Sequence, residues 1–361
     1  MNRYLDRGFL SLLVFSFALG IGGCGGDPAG PSGEFDAVGV AQSLDGVRGN
    51  LDDDSDMIIS LDLVGSALQQ QTGTPSLVGG DLSRPGFAAS IAPARTLLSA
   101  GSASAPIFPS NLLGKTFVWS AAEDSYVIDE TLTGAPANGV RFLLYAINPI
   151  TRRPAVPLVV VGRADLMDES SAESTRLAVQ AVVGEQTLID YFVEASFTQT
   201  QQTVSVNLDA LGFISDGSVR LDFDLSESVG LSDAAQTFTI SLLHSLEVAA
   251  EDVAVTLSVN GEFDLVTEVP VSLAFTLTVR EGPNTLVFTG EATDVAIDGS
   301  LAYNGEVVVL ASGDPDNPTF TRADGSELSA ADAQALRDIF NTVGEVFDFA
   351  EEILDPLGDL L

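Results

Sequence analysis

One cysteine, one histidine, one tryptophan and one lysine are all that this chain of 361 residues holds of those four types. Each scarcity removes a class of chemistry. A single cysteine closes no internal disulfide, so stability must come from the core. With one histidine and one thiol, a zinc or copper site would need an all-carboxylate shell, which those metals rarely use. Fifteen Lys and Arg against 51 Asp and Glu leave a net charge of −36. That balance excludes nucleic acid, which demands a basic footprint, and opposes direct adsorption to anionic lipid headgroups. The acids are spread along the chain and read as a solvated surface.

Candidate catalytic groups fail on spacing. His244, in TFTISLLHSLEV, falls in step with Phe238, Ile240, Leu242, Leu246 and Val248. It reads as a hydrogen-bonded core histidine, since a base needs a positioned nucleophile and a third group. No G-x-S-x-G elbow occurs. Gly114, Lys115 and Thr116 imitate the end of a phosphate-binding loop, but Pro109 stands where the first glycine belongs and TFVW reads as strand where a helix must begin. Asp52, Asp54 and Asp56 in LDDDSD, and DPDN at 314–317, are weak calcium candidates without the spaced Gly and closing Glu of a full loop. Two carboxylates suffice for glycoside hydrolysis, yet nothing selects a pair among 51, and five tyrosines and one tryptophan offer few sugar platforms. No catalytic residue, metal site or cofactor is assigned, and the ligand-binding residues are unknown.

What is present begins at the start of the chain. Arg3 and Arg7 precede residues 8–21, GFLSLLVFSFALGI, an uncharged apolar run closed by Gly22 and Gly23. This is the layout of an export signal, too short for a spanning helix of about 20 residues. The lone thiol follows at once, and Ile21, Gly22, Gly23, Cys24 resembles the lipobox of bacterial lipoproteins: an aliphatic residue, two small ones, then cysteine. The resemblance implies cleavage between Gly23 and Cys24, diacylglyceryl transfer to the Cys24 thiol and palmitate-type acylation of the new amino terminus. Residues 1–23 are then a signal peptide and 24–33, rich in Gly and Pro, a flexible tether. Two or more acyl chains, at about 0.8 kcal/mol per buried methylene, hold a protein stably on a membrane. Gly25 in place of Asp implies, in two-membraned bacteria, release to the outer membrane.

Beyond the tether, Phe35, Val38, Ala41, Leu44, Val47 and Leu51 recur at helical spacing and predict a helical segment within 34–70. Residues 71–113, rich in Gly, Ser, Ala and Pro, predict an irregular loop. From 114 to 312 the period is two. VRLDFDL (219–225) and SLAFTLTVR (272–280) alternate apolar with polar, and Asp216-Gly217, Asn260-Gly261, Asp298-Gly299 and Asn304-Gly305 carry the signal of hairpin turns. PLVVVG (157–162) and EVVVL (306–310) are apolar at successive positions, predicting strands covered on both faces. A last stripe within 327–356, from Leu336 through Leu354, predicts an amphipathic helix packed on the sheet, with Ser329 three residues before Asp332 as its cap. The fold class is mainly β: a large antiparallel meander of roughly a dozen strands, sandwich or unclosed barrel, with amphipathic helices at both ends. A division near Phe213 stays open.

A fainter likeness joins this picture. TFVWSAAEDSYVID and GVRFLLYAINPIT resemble strand pairs of the lipoprotein-carrier proteins of the bacterial envelope, unclosed barrels with a helical lid, and the whole chain resembles acidic β-rich lipoproteins of high-GC bacteria. The leading expectation is a non-catalytic, lipid-anchored envelope protein that meets the membrane through acyl chains on Cys24 and binds an apolar ligand or an envelope partner. The alternatives are a structural or surface-interaction sandwich without a cavity, and an outer-membrane barrel.

Overall fold

A computed structural model describes residues 106–336 apart from 200–202, 216, 233–236, 265–269, 294, 315–316 and 327. Gly23, Cys24, Asp52, Asp54 and Asp56, and the helix expected within 34–70, lie outside the described residues. Strand β1 (Lys115–Ser120) pairs antiparallel with β2 (Ser125–Ile128) and parallel with β3 (Gly139–Tyr145). A separate ribbon of β4 (Ile147–Asn148) and β5 (Arg153–Pro154) intervenes before β6 (Val160–Asp168) returns along β3.

Every later strand pairs with its neighbours in sequence. These are β7 (Ser174–Val183), β8 (Gln186–Gln199), β9 (Thr203–Ser215), β10 (Arg220–Ser232), β11 (Thr237–Val248), β12 (Val253–Asp264), β13 (Pro270–Glu281), β14 (Asn284–Ala292), β15 (Ile297–Tyr303), β16 (Glu306–Asp314) and β17 (Asn317–Arg322). Among the described residues the product is a single 15-stranded sheet, open between edge strands β2 and β17 and antiparallel except at β1–β3. Among the described residues all strands but β4 and β5 belong to this one sheet, and no break falls at Phe213, which lies inside β9. The sheet also runs past residue 312, through β16 and β17.

Alternation explains why the strands hold their register. In β11, Phe238, Ile240, Leu242, His244, Leu246 and Val248 are buried while Thr239, Ser241, Leu243 and Glu247 are exposed. A slip of one residue would exchange the two sets, so the pattern itself pins the pairing. One apolar layer forms from Phe117 on β1 to Ala311 on β16. The chain before β1 contributes to it: Ile107, Phe108 and Leu112 are buried, so the end of the expected irregular loop is core. At the other end residues 330–336 are helical, Ser329 Oγ accepts the Asp332 backbone N–H at 3.1 Å, and Leu336 enters the apolar layer. The expected cap and the start of the C-terminal helix are therefore present, and residues 337–361 lie outside the described part.

Two turn expectations are corrected. Asn304-Gly305 does turn the chain between β15 and β16, with φ of 50° and 84°, the doubly left-handed backbone of a tight hairpin. Asn260-Gly261 and Asp298-Gly299, however, lie inside β12 and β15. Gly261 occupies the apolar face where a Cβ would come within 2.7 Å of the Phe263 ring, so it is there for lack of room, not for a turn. The strands covered on both faces are also corrected. Leu158, Val159, Val160, Val307 and Leu310 are exposed, because 158–160 leads out of the β4–β5 ribbon and β16 has only the edge strand beyond it.

Candidate functional site

The two faces of the central strands each carry one unusual feature. On the apolar face, Glu227 and His244 are fully buried and hydrogen-bonded, 3.0 Å between Glu227 Oε1 and His244 Nε2. Register places Glu227 opposite Leu208 and Leu242, and His244 opposite Leu225 and Leu257. A buried polar pair within leucines is tolerable only because each supplies the other's partner. Glu227 Oε2 has no hydrogen-bond partner among the described residues. His244 is thus the hydrogen-bonded core histidine that its spacing predicted. Glu227 is legible by the same test, being an acid in step with Leu225 and Val229 in LDFDLSESVGLS.

On the polar face, pairing brings together residues no linear reading connects. Ser174, Ser196, Asn207, Ser228, Ser241 and Asn260 stand side by side on β7 to β12. The row continues as Ala274, Glu291, Asp298 and Ser312 on β13 to β16. Ser241 Oγ donates to Asn260 Oδ1 at 2.9 Å within it. Where the row crosses β10 to β14 the face sinks into an open groove of about 560 Å³, lined by Ser228, Thr239, Ser241, Asn260 and Ser272, with carboxylates at Glu262 and Glu291 and apolar groups at Ile240, Leu273, Ala274 and Ala292. Hydroxyl, amide and carboxylate oxygens make it a hydrogen-bonding surface that favours donors and positive charge.

A third region is rigid and aromatic. Phe117 stacks on Phe142 at 4.6 Å, Tyr126 meets Phe142 edge-on at 5.1 Å, and Trp119 meets Tyr126 at 5.4 Å. Tyr126 donates to the Leu143 carbonyl at 2.8 Å. Burial, with a smaller effect from Tyr145, pushes the Tyr126 phenol well above its ordinary range. Beside this cluster Arg141 forks onto Asp165 at 2.5 and 2.7 Å, raising the Arg141 pKa through that hydrogen bond.

The residues named from sequence do not converge in the described part. Lys115 and Thr116, the phosphate-loop imitators, are in strand β1, and Lys115 pairs with Glu130 at 2.5 Å. Among the described residues no three His, Cys, Asp or Glu side chains are grouped to hold a metal, and no helix is long and apolar enough to cross a membrane. No family model matches the chain, and no curated protein or solved structure matches it either.

Proposed function

We propose that the protein is a lipid-anchored, extracytoplasmic component of the cell envelope, tethered through acyl chains on Cys24, that binds an envelope partner on the polar face of its sheet and catalyses no reaction. The lipobox likeness of residues 21–24 supports that location. The observation that carries the binding surface is the row of short polar side chains continuous across β7 to β12, with its groove. The hydroxyls and two carboxylates of a lining that also holds Ile240 and Leu273 favour a partner segment bearing hydrogen-bond donors and positive charge beside apolar groups, and the acidity of the whole chain steers such a segment inward.

An apolar ligand is the weaker reading, because the side chains of the apolar layer are already buried within the chain itself, in one cluster with Ile107, Phe108 and Leu336. Two measurements test the proposal. Metabolic labelling with an alkynyl palmitate should mark the wild-type chain and leave Cys24→Ser unmarked and released from the membrane fraction. A photo-crosslinking residue at Ser241 should give one discrete adduct in intact cells, and the same residue at Glu306 none. Absence of label refutes the anchor, and equal adducts at the two positions refute the polar face. A native mass spectrum of the unacylated protein carrying bound lipid would favour the apolar-ligand reading instead.

A further inference from the structure

The connection between β3 and β6 lies in an acid-free stretch of this acidic chain. Residues 131–164 contain no Asp or Glu, although the chain has 51, and they contain four of its fifteen basic residues: Arg141, Arg152, Arg153 and Arg163. Arg141 and Arg163 pair with Asp165, and Arg152 and Arg153 are exposed on the β4–β5 ribbon, Arg153 facing Asp124. Around them stand aliphatic side chains with nothing over them: Ile150 is 90 % exposed, Val156 78 % and Val159 55 %. Scattered single exposures need no explanation, but several in one loop do.

The ribbon's position makes it prominent. It lies on the rim of the sheet where the other described connections are short, such as 184–185, 249–252, 282–283 and 304–305. The connection from 146 to 159 is longer than these. Behind it the aromatic cluster fixes its base: Arg153 lies 5.9 Å from the Trp119 ring and 3.8 Å from Asp124.

We propose that the β4–β5 ribbon is a membrane-contact loop that sets Ile150, Val156 and Val159 into the headgroup region of a bilayer containing anionic phospholipid, with Arg152 and Arg153 at the phosphates. Aliphatic side chains gain by leaving water, and arginines at the boundary gain from negative headgroups. The charge pattern selects the bilayer. A chain of −36 is repelled least by an anionic surface where its acids are few, and on this rim the long loop, whose one close carboxylate among the described residues is Asp124 beside Arg153, reaches the surface before the short acidic turns. At physiological salt, screening over about 8 Å confines that repulsion to acids close to the surface. A protein partner would need roughly 800 Å² on each side, more than a narrow ribbon presents. The inference rests on the proposed envelope location only for the presence of a bilayer, and its test omits the acyl anchor.

Residues 25–361 are mixed with vesicles of phosphatidylcholine alone or of an equimolar mixture with phosphatidylglycerol, and floated on a density gradient. The chain should float with the mixed vesicles and not with phosphatidylcholine. Arg152→Gln with Arg153→Gln should weaken partitioning on the order of thirtyfold, and Ile150→Asp with Val156→Asp should abolish it. These residues are exposed, so the variants should unfold at the wild-type denaturant concentration. Because residues 25–361 contain no cysteine, Ile150→Cys can carry an environment-sensitive dye, whose emission should shift to the blue on mixed vesicles while a dye on Ser241→Cys does not change. Failure to float, flotation unaltered by the variants, or an unshifted Ile150→Cys dye would overturn the proposal. So would a dimer in solution that Ile150→Asp disperses, which would assign the loop to a second copy. None of these outcomes depends on whether Cys24 is acylated.

Discussion

The corner built from β1, β2, β3 and β6 and the meander from β8 to β14 belong to one apolar layer, yet different physics holds them. In the meander each strand is fixed by an antiparallel neighbour adjacent in sequence, and outside a few ring pairs such as Phe238–Phe263, stacked at 4.8 Å, the layer is mostly aliphatic: Leu242, Val255, Leu257, Leu277 and Val279 are interchangeable in kind. In the corner a parallel pair joins β1 to β3, and the position of each strand depends on particular contacts, the Phe117–Phe142 stack, the Tyr126 hydroxyl and the Arg141–Asp165 fork. Pattern suffices for the first region. The second needs named partners.

That contrast is best broken by matched truncations. Phe142→Ala, removing a fully buried ring from two aromatic contacts, should cost about 4–5 kcal/mol in denaturant titration, whereas Leu257→Ala should cost about 2–3 kcal/mol because an aliphatic layer closes up more readily. Equal losses would erase the distinction. Within the meander the polar exception comes next. His244→Leu should cost about 1–3 kcal/mol by leaving the Glu227 carboxyl buried without its histidine. The double variant Glu227→Leu with His244→Leu should recover most of that loss, since an apolar pair of similar shape needs no partner. If the double variant is the less stable of the two, the pair holds more than itself.

Alkaline pH sharpens the corner's side. Tyr126 has its pKa raised by burial, above the unfolded value of about 10. Its contribution is fully present below that pH and is lost as pH rises beyond it, because the unfolded phenol ionises first. Tyr126→Phe should cost about 1 kcal/mol near neutrality, through the lost bond to Leu143, and should flatten the fall in stability between about pH 10 and about pH 12. Smallest, and outside both regions, Ser329→Ala should cost about 1 kcal/mol. It should also speed amide exchange at Asp332, whose N–H the hydroxyl accepts.

The same division decides what could be read in advance. Leu221, Phe223 and Leu225, and Leu273, Phe275, Leu277 and Val279, are buried as their period of two requires. His244 is placed correctly because it shares that period. The reading fails where a residue answers to something other than its own strand. Gly261 resembles a turn residue, but its constraint is the ring of Phe263 on the apolar side, and Gly299 is crowded in the same way by Phe288 and the Thr289 carbonyl. The run at 157–162 misleads for a related reason: the sequence shows apolar residues, but only the three-dimensional path shows that Leu158, Val159 and Val160 face water. The polar groove is illegible in the sequence, since Ser228, Asn260 and Glu291 become neighbours only through successive strand pairings.

From β6 onward the open ladder joins only consecutive strands, so it behaves as a linear array in which each unit depends on the one beside it. A chain that emerges end first can add each strand to an edge already in place, with little need to wait for distant segments. Such an array has no preferred number of members, only a preferred parity. Losing or gaining one strand would reverse the direction of everything downstream, while losing or gaining two restores both direction and facing. The hairpin is therefore the unit in which this sheet can lengthen or shorten, and its width is a property that can drift without disturbing either end.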